Sequence, residues 1–146
     1  MTALVFVDTN VLLYRHDIAR PEKQEAATAW LSHLWRAHSG RLSMQVLQEF
    51  YVNATQKLKP GLDRQAAREE IRDLMTWNPI SIDARLIEGA WDLQDRFGLS
   101  FWDSLIASAA RTAGCRFLLT EDLQHDQDLN GVRVLNPFIA RPSSFS

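Results

Sequence analysis

Two short, continuous apolar runs constrain this chain most. Leu4-Val5-Phe6-Val7 ends in the polar group Asp8-Thr9-Asn10, and Phe117-Leu118-Leu119 ends in Thr120-Glu121-Asp122. Runs this short, apolar at every position, read as strands buried on both faces, which is the pattern of a parallel sheet. The stretches between them carry helical periodicity. Pro21 opens a helix with Ala26, Ala27, Trp30, Leu31, Leu34 and Trp35 on one stripe, stopped at Gly40. A brief strand near Arg41-Leu42-Ser43 precedes a helix carrying Val46, Leu47, Phe50, Tyr51, Ala54 and Leu58, which ends before Pro60-Gly61. Further helices are expected over Asp63 to Trp77, from an Asp83 cap to about Phe97, and from Ser100 to Ala113-Gly114. Pro79 to Ile82 and Val132 to Val134 are candidate strands. Such alternation predicts an α/β fold with a mostly parallel sheet of about four to five strands flanked by helices.

In sheets of this kind, ligands bind beyond the carboxyl ends of the strands, so the acids there need an explanation. Asp8 sits at such an end, either as the cap of a short helix at Val11-Leu12-Leu13 or as a functional group. Asp122 repeats the arrangement. Asp83 does so too, and it is read as a cap alone. Asp103 shares a helix face with Ile106, Ala107, Ala110 and Gly114, a costly place for a carboxylate without a cation or several donors. Ser100 three residues earlier also fits a capping box. Glu49 lies on the border of its helix's apolar stripe, a position usually solvated. Four acids from distant segments meeting at one sheet edge would repel one another unless a cation offset them. Mg²⁺ and Mn²⁺ take oxygen ligands, and such ions activate water and offset charge on a phosphate.

Taken in order, Val7-Asp-Thr-Asn-Val-Leu-Leu-Tyr14, Gln45-Val-Leu-Gln-Glu-Phe-Tyr51, Leu99-Ser-Phe-Trp-Asp-Ser-Leu-Ile-Ala107, Leu118-Leu-Thr-Glu-Asp-Leu-Gln124 and Asn136-Pro-Phe138 resemble the PIN-domain family, and within it the VapC-type toxins of bacterial toxin–antitoxin systems. The resemblance implies a single PIN-like domain, here residues 1–138, with 139–146 as a flexible C-terminal tail. It implies a Mg²⁺- or Mn²⁺-dependent endoribonuclease whose acidic quartet is Asp8, Glu49, Asp103 and Asp122, with Thr9 or Asn10 and Thr120 in support. It also implies an RNA substrate, a homodimer and a small inhibitory antitoxin. One departure is His125-Asp126, where relatives often carry glycine. Asp126 could touch a metal or strain its loop, and Glu121 stands beside Asp122.

The remaining residues bound the alternatives. A lone cysteine, Cys115, excludes an internal disulfide and a multi-thiolate zinc site, and reads as a core residue. The start lacks a basic region and a long apolar run, and no segment is long enough to span a membrane, so a cytoplasmic protein is expected. Basic nucleic-acid binders are common, whereas this chain carries a formal charge of −2, a balance that a bound cation would reverse locally. His16, His33, His38 and His125 show no ligand spacing. Trp30 and Trp35 read as core, and Arg15, Arg20, Lys23, Lys57 and Lys59 are the basic residues nearest the first two motifs. Two other functions compete: a non-catalytic module that binds RNA or protein, and a Mg²⁺-dependent phosphohydrolase with Asp8 as nucleophile. The second lacks another Asp two residues on and an obvious catalytic lysine.

Overall fold

The computed structural model describes residues 2–145. It contains β1 (Val5–Val7), α1 (Thr9–Tyr14), α2 (Pro21–Ala37), β2 (Gly40–Arg41), α3 (Met44–Val52), α4 (Arg64–Leu74), α5 (Ala84–Phe97), α6 (Phe101–Thr112), β3 (Phe117–Leu119), β4 (Asp128–Leu129) and β5 (Val132–Leu135). The strands form one sheet in the order β2-β1-β3-β5-β4, parallel except for the β4–β5 pair. This is the expected α/β fold, with a mostly parallel sheet and flanking helices.

Local chemistry sets the helix starts. Pro21 occupies the first turn of α2, where its missing N–H costs nothing. Ser43, Asp63, Asp83 and Ser100 each cap a helix by accepting from a backbone N–H three residues on. Asp83 is thus the plain cap that its position suggested. All of β1 and β3 is buried, and Trp30, Phe6 and Phe50 are among the largest side chains fully enclosed. Ile106, Ala107 and Ala110 are buried on α6, which packs on β3 and β5. Trp30 is therefore core, and Trp35 packs against Trp77 with the rings tilted and their centres 4.9 Å apart.

Several boundaries differ from the sequence reading. Gly40 does not stop α2. His38 does, in a left-handed conformation at φ 54°, while Gly40 begins β2. Pro79 to Ile82 makes only one parallel bridge, Ser43 to Ile80, because the segment is too short to extend the ladder. The helix expected to reach Trp77 leaves α geometry at Leu74, closing in a 3₁₀ turn over Met75–Trp77. After Val52 the helix expected to run towards Pro60 continues as a π turn, Asn53–Lys57. Strand β4 was not expected. It pairs with β5 across Asn130-Gly131, both at positive φ, as a tight two-residue hairpin requires.

The segment expected as a flexible tail carries a 3₁₀ turn, Pro142–Phe145, with the Phe145 ring 5.2 Å from Phe117 and 6.0 Å from Trp30. Trp30 Nε1 also donates to the Ala140 carbonyl at 2.9 Å. Positions 1 and 146 lie outside the described residues. Among the described residues, no helix is long and apolar enough to cross a membrane.

The register places the site. Val7 is level with Leu119, and Leu119 with Leu135, so β1, β3 and β5 end together. From β1 the chain leads to β2 on one side, whereas from β3 it leads to β5 on the other. The crevice between β1 and β3 is therefore the point where the winding reverses, the place where α/β sheets bind ligands.

Candidate active site

Asp8 and Thr120 leave that crevice side by side. The Asp8 N–H donates to the Leu119 carbonyl at 3.1 Å, extending the ladder by one residue past β1. Asp8 caps α1 and also faces Asp122 and Glu49, so the cap does not exclude a functional role. Its Oδ1 accepts from the Thr9 N–H at 2.7 Å, and its Oδ2 accepts from Thr120 Oγ1 at 2.8 Å and from Asn10 Nδ2 at 3.4 Å. Thr120 is a hub: its hydroxyl also accepts from the Asp122 N–H and from Asn10 Nδ2, each at 3.1 Å. Asn10 Nδ2 reaches Asp122 Oδ2 at 3.0 Å. One amide and one hydroxyl thus bind two acids that are 114 positions apart in the chain, counted from Asp8 to Asp122.

Glu49 joins through Thr9, whose hydroxyl donates to Glu49 Oε1 at 3.2 Å. Gln45, one helical turn earlier, donates to the same oxygen at 3.4 Å. Asp103 stands in the first turn of α6, half-buried, with its N–H on the Ser100 hydroxyl at 3.1 Å. The structure thus ties Asp8, Glu49 and Asp122 by hydrogen bonds, and couples Asp103 to Asp122 by charge.

Electrostatics follow from burial. Asp8 is only 7% exposed. Desolvation pushes its carboxyl up to about 7, against the Thr120 and Thr9 hydrogen bonds that favour the charged form, and the charges of Asp122 and Glu49 push the same way. Asp103 is raised by burial and by Asp122, with the Ser100 hydroxyl opposing. No three His, Cys, Asp or Glu side chains among the described residues close into a ready metal cage. The donor set nevertheless suits a hard divalent cation. Asp8 lies within electrostatic reach of Asp122 and Glu49, Asp103 within reach of Asp122, and Asn10 Oδ1 is buried without a hydrogen-bond partner.

Neighbouring residues sort themselves out. Glu121 is held away from the quartet by Lys23 Nζ at 2.8 Å and by the Tyr14 hydroxyl, with Lys23 lying over the Tyr14 and Phe138 rings. Asp126 is exposed and faces His125 at 3.6 Å, with a left-handed backbone at φ 69° that explains why glycine would be easier there. None of the four histidines bonds to the quartet. His16, for example, pairs with Glu70 at 2.8 Å. Burial pushes the Cys115 thiol up to about 12, as befits a core residue. Sequence reasoning missed Gln45, whose polar side chain is buried one turn before Glu49, and it left Thr9 and Asn10 as alternatives where both are used. Grooves of about 530 Å³ beside α4 and about 800 Å³ between α2 and the C-terminal segment contain none of the four acids.

The PIN domain family model matches residues 5–127, and the chain belongs to that family. Three solved structures share its fold. A chain of a toxin–antitoxin complex from Klebsiella pneumoniae is 22% identical, with 91% of this chain and 97% of that chain covered and a TM-score of 0.63. One of FitAB bound to a DNA fragment, IR36, is 20% identical, covers 92% and 96%, and has a TM-score of 0.68. One of VapBC2 from Rickettsia felis, bound to a DNA fragment from their promoter, is 15% identical, covers 90% and 96%, and has a TM-score of 0.57. No curated protein matches the chain in sequence.

Proposed function

We propose that this PIN domain is a Mg²⁺- or Mn²⁺-dependent endoribonuclease and the toxin of a toxin–antitoxin pair. The observation that carries the reading is the hydrogen-bonded lattice in which Asn10 and Thr120 hold Asp8 to Asp122 while Thr9 holds Glu49. Such an arrangement of like charges makes chemical sense around a cation. Its membership of the PIN family supports nuclease chemistry, and its likeness to chains of toxin–antitoxin complexes supports a small antitoxin partner. In this reading the domain spans 1–138, the protein works in the cytoplasm as a homodimer, and residues 139–146 are an appendage.

Asp8, Asp103 and Asp122 would hold the cation, with Glu49 as a further ligand or as the group that orients water. The ion supplies charge to offset the phosphate oxygens and makes a nearby water more acidic. The chain's own residues do the rest. Thr9 and Gln45 fix Glu49 through Oε1, which leaves Oε2 to accept a proton from the attacking water. Water adds to phosphorus, the bond to the leaving oxygen breaks, and that oxygen takes a proton. Thr120 and Asn10 keep Asp8 and Asp122 in register throughout.

Cleavage of RNA by the purified protein is expected in Mg²⁺ and not in EDTA. Asp8→Asn and Asp103→Asn should each lower it by more than about 100-fold, beyond the effect typical of groups that merely support a ligand, with the far-UV spectrum unchanged. Unimpaired cleavage by both variants would refute the assignment.

A further inference from the structure

One groove adjoins the acid cluster through Asn10. It has a volume of about 280 Å³, and Asn10, Tyr14, Asp17, Arg20, Asn53 and Lys57 line it. Asn10 belongs to both places, since its amide nitrogen bonds Asp122 and Thr120. Asn53 ties the far wall to the cluster as well, donating to the Glu49 carbonyl at 2.7 Å. The groove therefore begins beside Asp122 and Glu49, through Asn10 and Asn53.

Its charge is opposite to theirs. Arg20 is 60% exposed at its side chain and is held by Asp17 at 2.8 Å, which fixes its direction without covering it. Lys57 closes the π turn, one turn after Asn53, and is exposed with no acid partner among the described residues. Unusual π turns concentrate at functional places in helices. A phosphate is repelled by bare carboxylates and attracted by this wall. The volume lies near the lower end of pockets that hold a small ligand, about 300 Å³. That suits a sugar-phosphate unit better than a helix of a partner protein.

Resting on the ribonuclease reading, we infer that this groove carries the RNA backbone adjoining the scissile bond, with Lys57 and Arg20 on its neighbouring phosphate. Both are positioning residues. They hold the strand without choosing its sequence and take no part in bond cleavage.

The test compares the wild-type protein with Lys57→Ala, Arg20→Gln and Arg85→Ala, the last an exposed cation outside the groove. Binding of a short single-stranded RNA is followed across salt in EDTA, and steady-state cleavage is followed in Mg²⁺. Lys57→Ala should weaken binding roughly three- to tenfold and make the salt slope shallower by about 0.7, the value for one phosphate contact to a single strand. KM should rise while kcat holds. Arg20→Gln should act in the same direction, and Arg85→Ala should match the wild type. Unchanged affinity and slope in Lys57→Ala, or an equal loss in Arg85→Ala, would overturn the groove and leave cleavage standing. RNA binding that depends on Lys57 in a protein that never cleaves would keep the groove and remove the nuclease reading.

Discussion

Asp8 carries an energetic burden that its hydrogen bonds do not remove. Thr9, Thr120 and Asn10 all donate to it, yet burial and two neighbouring acids still raise its carboxyl from 3.8 to about 7. The native protein thus holds a proton there more tightly than the unfolded chain does. Without metal, the contribution of Asp8 to stability is most favourable below about pH 4, declines as pH rises, and reaches its full deficit above pH 7. The deficit is on the order of 4 kcal/mol, and Asp8→Asn should remove most of it. In EDTA, the melting temperature of the wild type should fall relative to that of Asp8→Asn between pH 5 and 8. Parallel curves across that range would contradict the assigned burial cost. The unusual placement of Asp8 and Asp103 was legible in sequence, because one follows a buried parallel strand and the other shares a helix face with small apolar residues. Gln45 was not, because a buried glutamine on a helix stripe looks like a solvated one until Glu49 is placed beside it. Nor does local pattern separate Glu121 from Asp122. Lys23, which claims Glu121, comes from 98 residues away.

At the scale of elements, the buried strands and helix caps were readable, and close approaches between elements were not. Gly40 looked like the end of α2 because glycine commonly follows a helix. Its actual constraint is distant: a Cβ there would lie 2.5 Å from the Trp77 ring. The ring is itself packed on Trp35 and is only 4% exposed, so it has little room to yield. Gly40→Ala should destabilise the fold by about 1–3 kcal/mol, the usual cost of overpacking a core, read by denaturant melts. A change within error would mean that β2 and the 3₁₀ turn are not locked together. The hairpin of β4 and β5 had a local signal in Asn130-Gly131, and the short strand before it hid the pairing. The ring of Phe145 on Trp30 and Phe117 had none, since a serine-rich ending resembles any loose terminus.

At the scale of the whole molecule, Asp8 and Asp122 meet at one crevice because three parallel strands end level where the winding reverses, with Glu49 of α3 tied to them through Thr9 and Asp103 of α6 coupled by charge to Asp122. The placement of Asp8 and Asp122 at strand ends followed from the strand-helix alternation, whereas the bonds that link the acids depend on side chains which the alternation does not specify. A net charge of −2 hides a cluster of one sign beside a groove of the other. If the cluster is a cation site, calorimetric titration of the metal-free protein with Mn²⁺ will register it. The wild type should bind Mn²⁺ and release protons below pH 7. Asp8→Asn, Glu49→Gln, Asp103→Asn and Asp122→Asn should each weaken binding, while Asp83→Asn, at a plain helix cap, should not. Mn²⁺ binding that is absent from the wild type, or that survives unchanged in Asp8→Asn and Asp103→Asn, would contradict the account.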